Sequence, residues 1–312
     1  NLFIKYEYKK AIEKMNSYQY VNMTVADKLY IKQGPQYTLN PLFEVAAKKI
    51  YYSEVEQIDF NDAEEAATKI NNWVENKSSN TVKNIVNKKD LKYNTILVLI
   101  NSIYVQGKWD KQFNKFFTTL QPFFVTLTDI IFVEMMFQFN QTGYQENSEL
   151  EAQILKLDFK GQEVSMVFFL PNKYDGLDEL EKKLKNVDMK SLVDSLTTEE
   201  VAILLPKLKI ETTAYLKQDL TDLGMGIVFT DNATFEGILL NPTVQLKVDQ
   251  VIQKTYLELN EAGATAGAGD VVVFASVIVA NPCGTDAFNP KRKACVAIIL
   301  AFDTNKRVKG KR

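Results

Sequence analysis

The stretch Thr95 to Trp109 reads TILVLINSIYVQGKW, and from Thr95 to Val105 it is almost wholly apolar and β-branched. A strand with one face in water alternates apolar and polar residues, whereas a run without alternation reads as a strand buried on both faces at the centre of a sheet. Gly107 is expected to end it.

Upstream, Asn61-Asp62-Ala63-Glu64 provides a cap and first-turn acids for a helix in which Ala66, Ala67, Ile70, Trp73 and Val74 keep i, i+3, i+4 spacing. A second short helix is expected through Val82, Ile85 and Val86. Further back, Asn40-Pro41 opens a helix carrying Phe43, Ala46, Ala47 and Ile50, Val25 to Ile31 reads as a strand closed by Gly34-Pro35, and Asn1 to about Tyr20 as an amphipathic helix. Downstream, residues 116 to 139 are rich in phenylalanine, are interrupted by Pro122 and favour strands. Ile154 to Leu157 and Ser165 to Leu170 flank Lys160-Gly161-Gln162 as a hairpin. Helical spacing then marks Leu177 to Leu196 and Tyr215 to Leu223, and strands are expected at Val201 to Leu205, Val244 to Val248 and Thr255 to Leu259. No repeat or linker divides the chain, so residues 1–312 are expected to form one domain of mixed helix and sheet.

Composition narrows the chemistry. The chain has 312 residues, 46% of them hydrophobic, with 37 Lys+Arg against 39 Asp+Glu. These are globular proportions, and the near balance of charge gives no global reason to expect nucleic acid or an anionic membrane as partner. The histidine count is zero. That removes Ser-His-Asp and Cys-His catalysis, His-bearing zinc sites and His-based pH switches. Two cysteines, Cys283 and Cys295, cannot build a four-ligand thiolate site and are expected as free thiols, so neither metal nor cofactor is expected. The longest apolar runs, Ile96 to Ile100 and Val296 to Ala301, fall far short of the roughly 20 residues of a membrane span. Residues 1–10 carry three lysines, a glutamate and no signal-peptide pattern.

Several local features have a bland explanation beside a functional one. Gly263, Gly267 and Gly269 lack the spacing and the following Lys-Ser/Thr of a phosphate loop, and by composition alone residues 263–269 read as a flexible surface loop. Adjacent acids such as Glu64-Glu65 and Glu199-Glu200 suit helix starts or solvated loops better than acid–base catalysis. From Lys291 to Arg312 there are eight basic residues and one acid, and Lys306, Arg307, Lys309, Lys311 and Arg312 make a heparin-like polyanion a candidate partner, a solvated tail being the commoner meaning. Asn22, Asn76, Asn140 and Asn232 each begin an N-glycosylation pattern.

Leu97 to Trp109, continuing to Phe113, closely resembles the central-strand signature of the serpins, the serine protease inhibitor superfamily. Ile70-Asn71-Asn72-Trp73-Val74-Glu75 is similar to the helix lying across that family's main sheet, and Met166 to Asn172 and Leu205 to Glu211 are further serpin-like runs. Gln253 to Ala266, QKTYLELNEAGATA, resembles the hinge entering the reactive-centre loop, in a style like the insect members. The resemblance implies an α+β fold of three β-sheets and about nine helices, an extracellular monomer without catalytic residues, and a bait loop at residues 261–287 cleaved by a target protease. The chain begins where the family is partway through its helices, so the leading helices and first strand are expected to be missing. The charge-bearing stretches 288–294 and 308–312 stand where the family has an apolar-aromatic strand entry and a hydrophobic final strand.

The resemblance also implies the mechanism: a cleaved loop inserts as a new strand in the main sheet, carrying the acyl-linked protease with it. The hinge is assigned to Glu261, Gly263, Ala264, Thr265, Ala266, Gly267, Ala268 and Asp270, and insertion between strands about 4.8 Å apart is expected to need small side chains, which Ala264, Thr265, Ala266, Gly267 and Ala268 provide. By loop length the scissile bond falls at Val277-Ile278, with Ser276 and Val279 as alternatives. Nothing there is basic, which favours elastase-like serine or papain-like cysteine proteases over trypsin-like ones. Asn101 and Trp109 are assigned to the sheet-opening region. If Ala264, Ala266 and Ala268 face the core, so does Asp270, and burying its carboxylate would slow insertion. The alternative is a non-inhibitory serpin acting as carrier, storage protein or chaperone.

Overall fold

A computed structural model describes residues 2–124, 130–173, 176–241, 243–267, 275–277 and 296–302 of the protein. Helix α1 (Leu2–Met15) leads into strand β1 (Val21–Lys32), then α2 (Pro41–Ile50), β2 (Glu54–Ile58), α3 (Ala63–Lys77) and β3 (Leu97–Lys108). The caps are those the sequence offers. Asn40 Oδ1 accepts from the Leu42 N–H ahead of α2, and Asp62 Oδ1 accepts from the Glu64 and Glu65 N–H groups ahead of α3. The α3 face made of Ala66, Ala67, Ile70 and Val74 is buried, as its spacing predicts.

The middle of the chain is a meander of β4 (Thr119–Phe124), β5 (Ile130–Asn147), β6 (Ala152–Asp158) and β7 (Val164–Pro171), followed by α4 (Leu177–Leu184), α5 (Met189–Asp194) and β8 (Thr197–Pro206). After β9 (Leu208–Tyr215) come α6 (Lys217–Leu220), β10 (Gln250–Asn260), β11 (Gly263–Gly267), β12 (Ala275–Val277) and β13 (Val296–Phe302). Two sheets result. One has the order β2-β1-β3-β11-β10-β9, and the other β12-β13-β7-β6-β5-β4 with β8 on β5. The second and third sheets expected from the resemblance are joined here because the long β5 pairs with β4 through Ile130 to Met135, with β8 through Met135 to Tyr144 and with β6 through Gly143 to Asn147. The described residues hold six α-helices.

Between the sheets lies a core that includes Val105, Trp109, Met135, Met136, Phe159 and Leu259. A second cluster packs Ile70 and Val74 of α3 on Val98 and Ile100 of β3 and on Ile252 of β10. Thus β3 is covered on both faces, as its unbroken apolar run requires.

Three expectations change. Val82, Ile85 and Val86 are buried but form no helix; Asn71 accepts from the Val86 N–H and donates to its carbonyl, and Asn84 has φ 51°, so the segment crosses the sheet as an irregular strap. Val244 to Val248 forms no strand, although Leu246 and Val248 are buried: apolar side chains fill a core while the Val248 N–H bonds the Val228 carbonyl instead of a ladder. The first helix stops at Met15 rather than near Tyr20.

Candidate functional site

The β3 strand runs one residue past the expected stop because Gly107 is needed for contact and not for a turn. A Cβ there would lie 2.6 Å from the Phe159 ring, which stacks on Trp109 with centroids 4.9 Å apart and planes 7° from parallel. Trp109 is 2% exposed, and its indole N–H donates to the Asn260 carbonyl over 3.0 Å while its backbone N–H reaches the Ala262 carbonyl. The end of β3 is therefore bonded to the turn joining β10 to β11.

That turn is held on every side. Asn260 Oδ1 accepts from the Ala262 and Gly263 N–H groups at 3.0 and 3.2 Å, the Phe113 N–H donates to the Glu261 carbonyl, and Gln112 Nε2 donates to the Ala262 carbonyl. Glu261 is buried, with Oε1 accepting from the Thr118 hydroxyl at 2.9 Å and lying 3.5 Å from Lys207 Nζ, which also pairs with Glu134. Burial alone would raise the Glu261 carboxyl; its backbone N–H, the Thr118 hydroxyl and the Lys207 charge together hold it below the usual carboxylate value.

Beyond the turn, β11 lies antiparallel between β3 and β10. Gly263 to Ala266 pair with Lys108 to Val105, and Gly263 to Gly267 with Asn260 to Tyr256. The flexible loop that composition suggests for residues 263–267 is thus a strand, its small residues being what lets it fit. A Cβ on Gly263 would fall 2.0 Å from the Gly107 carbonyl oxygen, and Ala264 is buried in the core between the sheets. Below β11 the sheet has no room for another strand. There β3 and β10 pair directly and in parallel, Val98 to Asn101 against Gln250 to Gln253. The seam is filled at the top and closed below.

Asn101 stands at the fork, on the last direct rung opposite Gln253. Its Nδ2 donates to Asp27 Oδ1 at 2.6 Å, Tyr8 donates to Asp27 Oδ2, and Asn101 Oδ1 is buried without a hydrogen-bond partner among the described residues. Helix α3 and its strap bridge the closed part. On one side Lys28, buried between Glu54 and Glu56 at 3.2 and 2.7 Å, also lies over the Tyr30 and Trp73 rings. On the other, Lys254 of β10 donates to the strap at the Lys83 carbonyl, and Tyr215 of β9 to Asp90.

Of the residues assigned from sequence, Trp109 and Glu261 to Gly267 meet at the top of this seam, and Asn101 lies further down β3 at the fork. Ala268, Asp270, Ile278, Val279, both cysteines and the basic residues from Lys306 lie outside the described residues; Ser276 and Val277 belong to β12, paired with β13. Sequence reasoning missed Thr118, Lys207 and Phe159, which reach the hinge from other elements and carry no local signal. Of the four glycosylation patterns, Asn22, Asn76 and Asn232 are exposed, whereas Asn140 is half-buried with its carbonyl oxygen enclosed.

A strand docked partway into a seam of the main sheet, whose closed part is bridged by a helix, defines a class of protein. The profile of the family described as Serpin (serine protease inhibitor) matches residues 3–285, and the chain belongs to that family. It is 33% identical over 290 residues to Antichymotrypsin-2 of Bombyx mori, covering 92% of this chain and 76% of the relative, and 37% identical over 262 residues to Alaserpin of Manduca sexta, covering 83% and 66%. Among solved structures it is similar to a cleaved Serpin 42Da, with a TM-score of 0.78, 28% identity and coverage of 96% of this chain and 72% of that one. The chain thus spans between about two thirds and three quarters of the length of these relatives.

Proposed function

We propose that the protein inhibits proteases as a suicide substrate, with residues 1–312 as one domain and 261–287 as its bait loop. The observation that carries this reading is β11: the strand is already docked between β3 and β10, and the direct β3–β10 pairing below it is the next contact to be replaced. Continued in the same register, Ala268 would come level with Ile103 and Thr255, and Asp270 with Asn101 and Gln253. Each added rung gives the inserted strand backbone hydrogen bonds on both sides. The chain acts as substrate and trap, not as catalyst.

The scissile bond is placed at Val277-Ile278, with Ser276 or Val279 as the alternatives, and apolar character there favours elastase-like serine or papain-like cysteine proteases. The relatives' names, antichymotrypsin and antitrypsin, differ in the protease they imply and do not select one. An extracellular setting agrees with exposed glycosylation patterns at Asn22, Asn76 and Asn232. The basic residues Lys306, Arg307, Lys309, Lys311 and Arg312 offer a polyanion contact. Unchanged retention on heparin after deleting 308–312 removes that idea.

Incubation with a panel of serine and cysteine proteases, followed by a denaturing gel, tests the inhibitory reading. It expects a covalent complex with at least one of them. Nicking at the loop by every protease, with no complex, would instead support the non-inhibitory reading. One feature favours that second reading: Asp270 would enter a rung on which Asp27 already places a carboxylate, and like charges in a covered sheet oppose insertion.

A further inference from the structure

Beside the docked hinge lies a cleft of about 830 Å³ that the inhibitory reading does not use. It is bounded by the segment leaving α1, by the adjoining ends of β1 and β3, and by Ala262 to Thr265 of the hinge. Its charge has one sign. Among its described lining residues the charged groups are Lys108 and Lys160, and no carboxylate is present.

The two lysines are held together rather than scattered, because the Lys160 N–H donates to the Lys108 carbonyl over 2.8 Å and both side chains are exposed. Other lysines such as Lys28, Lys77, Lys173, Lys207 and Lys247 are answered by acids within 4 Å. Among the described residues Lys108 and Lys160 are not. The wall next to them is aromatic and fitted to its turn: Lys160 Nζ lies 5.3 Å from the Tyr20 ring centroid, and Tyr20 packs against Gly161 (φ +86°) so closely that a Cβ there would lie 2.4 Å from the ring. Tyr18 and Met15 extend the apolar wall, and Gln106 adds an amide donor.

Paired cations without a counterion, set in a concavity with a fixed aromatic wall, match the chemistry of a small amphipathic anion. Its carboxylate or sulfonate head would meet the lysines and its aromatic body the tyrosine wall. We propose that this cleft binds such an anion and that the bound anion holds the hinge in its docked position. The coupling follows from the lining: Gly263, Ala264 and Thr265 form part of the wall only while β11 is in the sheet, so a ligand touching them binds the docked state better and shifts the population toward it. The coupling rests on the hinge reading above, whereas the binding site does not.

The probe is 8-anilinonaphthalene-1-sulfonate, titrated by fluorescence into the intact, natively folded protein, with amide hydrogen exchange of residues 262–267 followed in parallel. One saturable site is expected, weakening at least about ten-fold in a Lys108→Gln/Lys160→Gln variant and weakening with added salt, since both lysines neutralise the sulfonate. Exchange at Gly263 to Gly267 should slow several-fold with the probe and show no such slowing in the variant. Circular dichroism checks that the variant keeps the parent fold. Equal affinity in the variant overturns the site; saturable binding with unaltered exchange overturns the coupling. A protein that forms no protease complex but passes both measurements would lose the inhibitory reading and keep this one.

Discussion

At the scale of single residues, Trp109 and Glu261 do different work in the same turn. Trp109→Ala removes a fully buried ring stacked on Phe159 and should lower stability by about 3–5 kcal/mol in urea unfolding. Trp109→Phe keeps a ring but loses the bond to the Asn260 carbonyl, a loss of about 1–2 kcal/mol, with faster exchange at the hinge amides as its local mark. A Phe variant indistinguishable from the parent in both would leave Trp109 as core filling only. Glu261 gives the turn a pH dependence. Because its folded carboxyl lies below the ordinary value, its contribution is complete at neutral pH and is lost as pH falls through that lowered value. Hinge amides should therefore lose protection on acidification, and Glu261→Gln should flatten that dependence. Trp109 and Glu261 were readable in the sequence because each lies within a recognisable run, but Thr118 and Lys207 were not: nothing local in their own segments shows that folding places them against Glu261.

At the scale of elements, β11 shows why composition misleads. Gly263 to Gly267 has no strand propensity of its own, yet it becomes a strand because β3 and β10 both offer it unpaired backbone groups, and at Gly263 the backbone of β3 comes too close for any side chain. Gly263→Ala should expel it, since the new methyl meets backbone on β3 that cannot move aside. Hydrogen exchange at residues 263–267 should then approach that of an open loop, while β3 below Asn101 keeps its protection; an unchanged pattern would mean that the strand tolerates a Cβ and the register is different. The central strand β3, the caps of α2 and α3 and the β6–β7 hairpin were legible because burial, capping and turn chemistry are local signals. The strap at 82–86 and the segment 244–248 were not. Their apolar residues fill cores set by distant elements, and only the partners of their backbone groups distinguish helix, strand and irregular chain.

At the scale of the whole molecule, the sheet is half zipped: β11 fills the seam to Gly267 and direct pairing closes it from Asn101 and Gln253 downward, with α3 and its strap fastened on both sides. On the proposed inhibitory reading, completing the strand would exchange those contacts for a longer set, and Asp270 would have to pass the rung at Asn101. Asp270→Thr should therefore raise the share of covalent complex relative to nicked product; an equal share would show that the polar rung accepts the carboxylate. The most direct measurement is thermal unfolding of the protein before and after a single cut in the loop at residues 275–279. A strand added in register contributes on the order of 5–10 kcal/mol, which at about 2–4 °C per kcal/mol for a domain of 150–250 residues predicts a rise in Tm of roughly 10–40 °C, with new protection at Asn101 and Gln253. A cut form that melts at the same temperature as the intact protein, with the β3–β10 seam exchanging as before, would contradict the claim that β11 is the first part of a strand waiting to be completed.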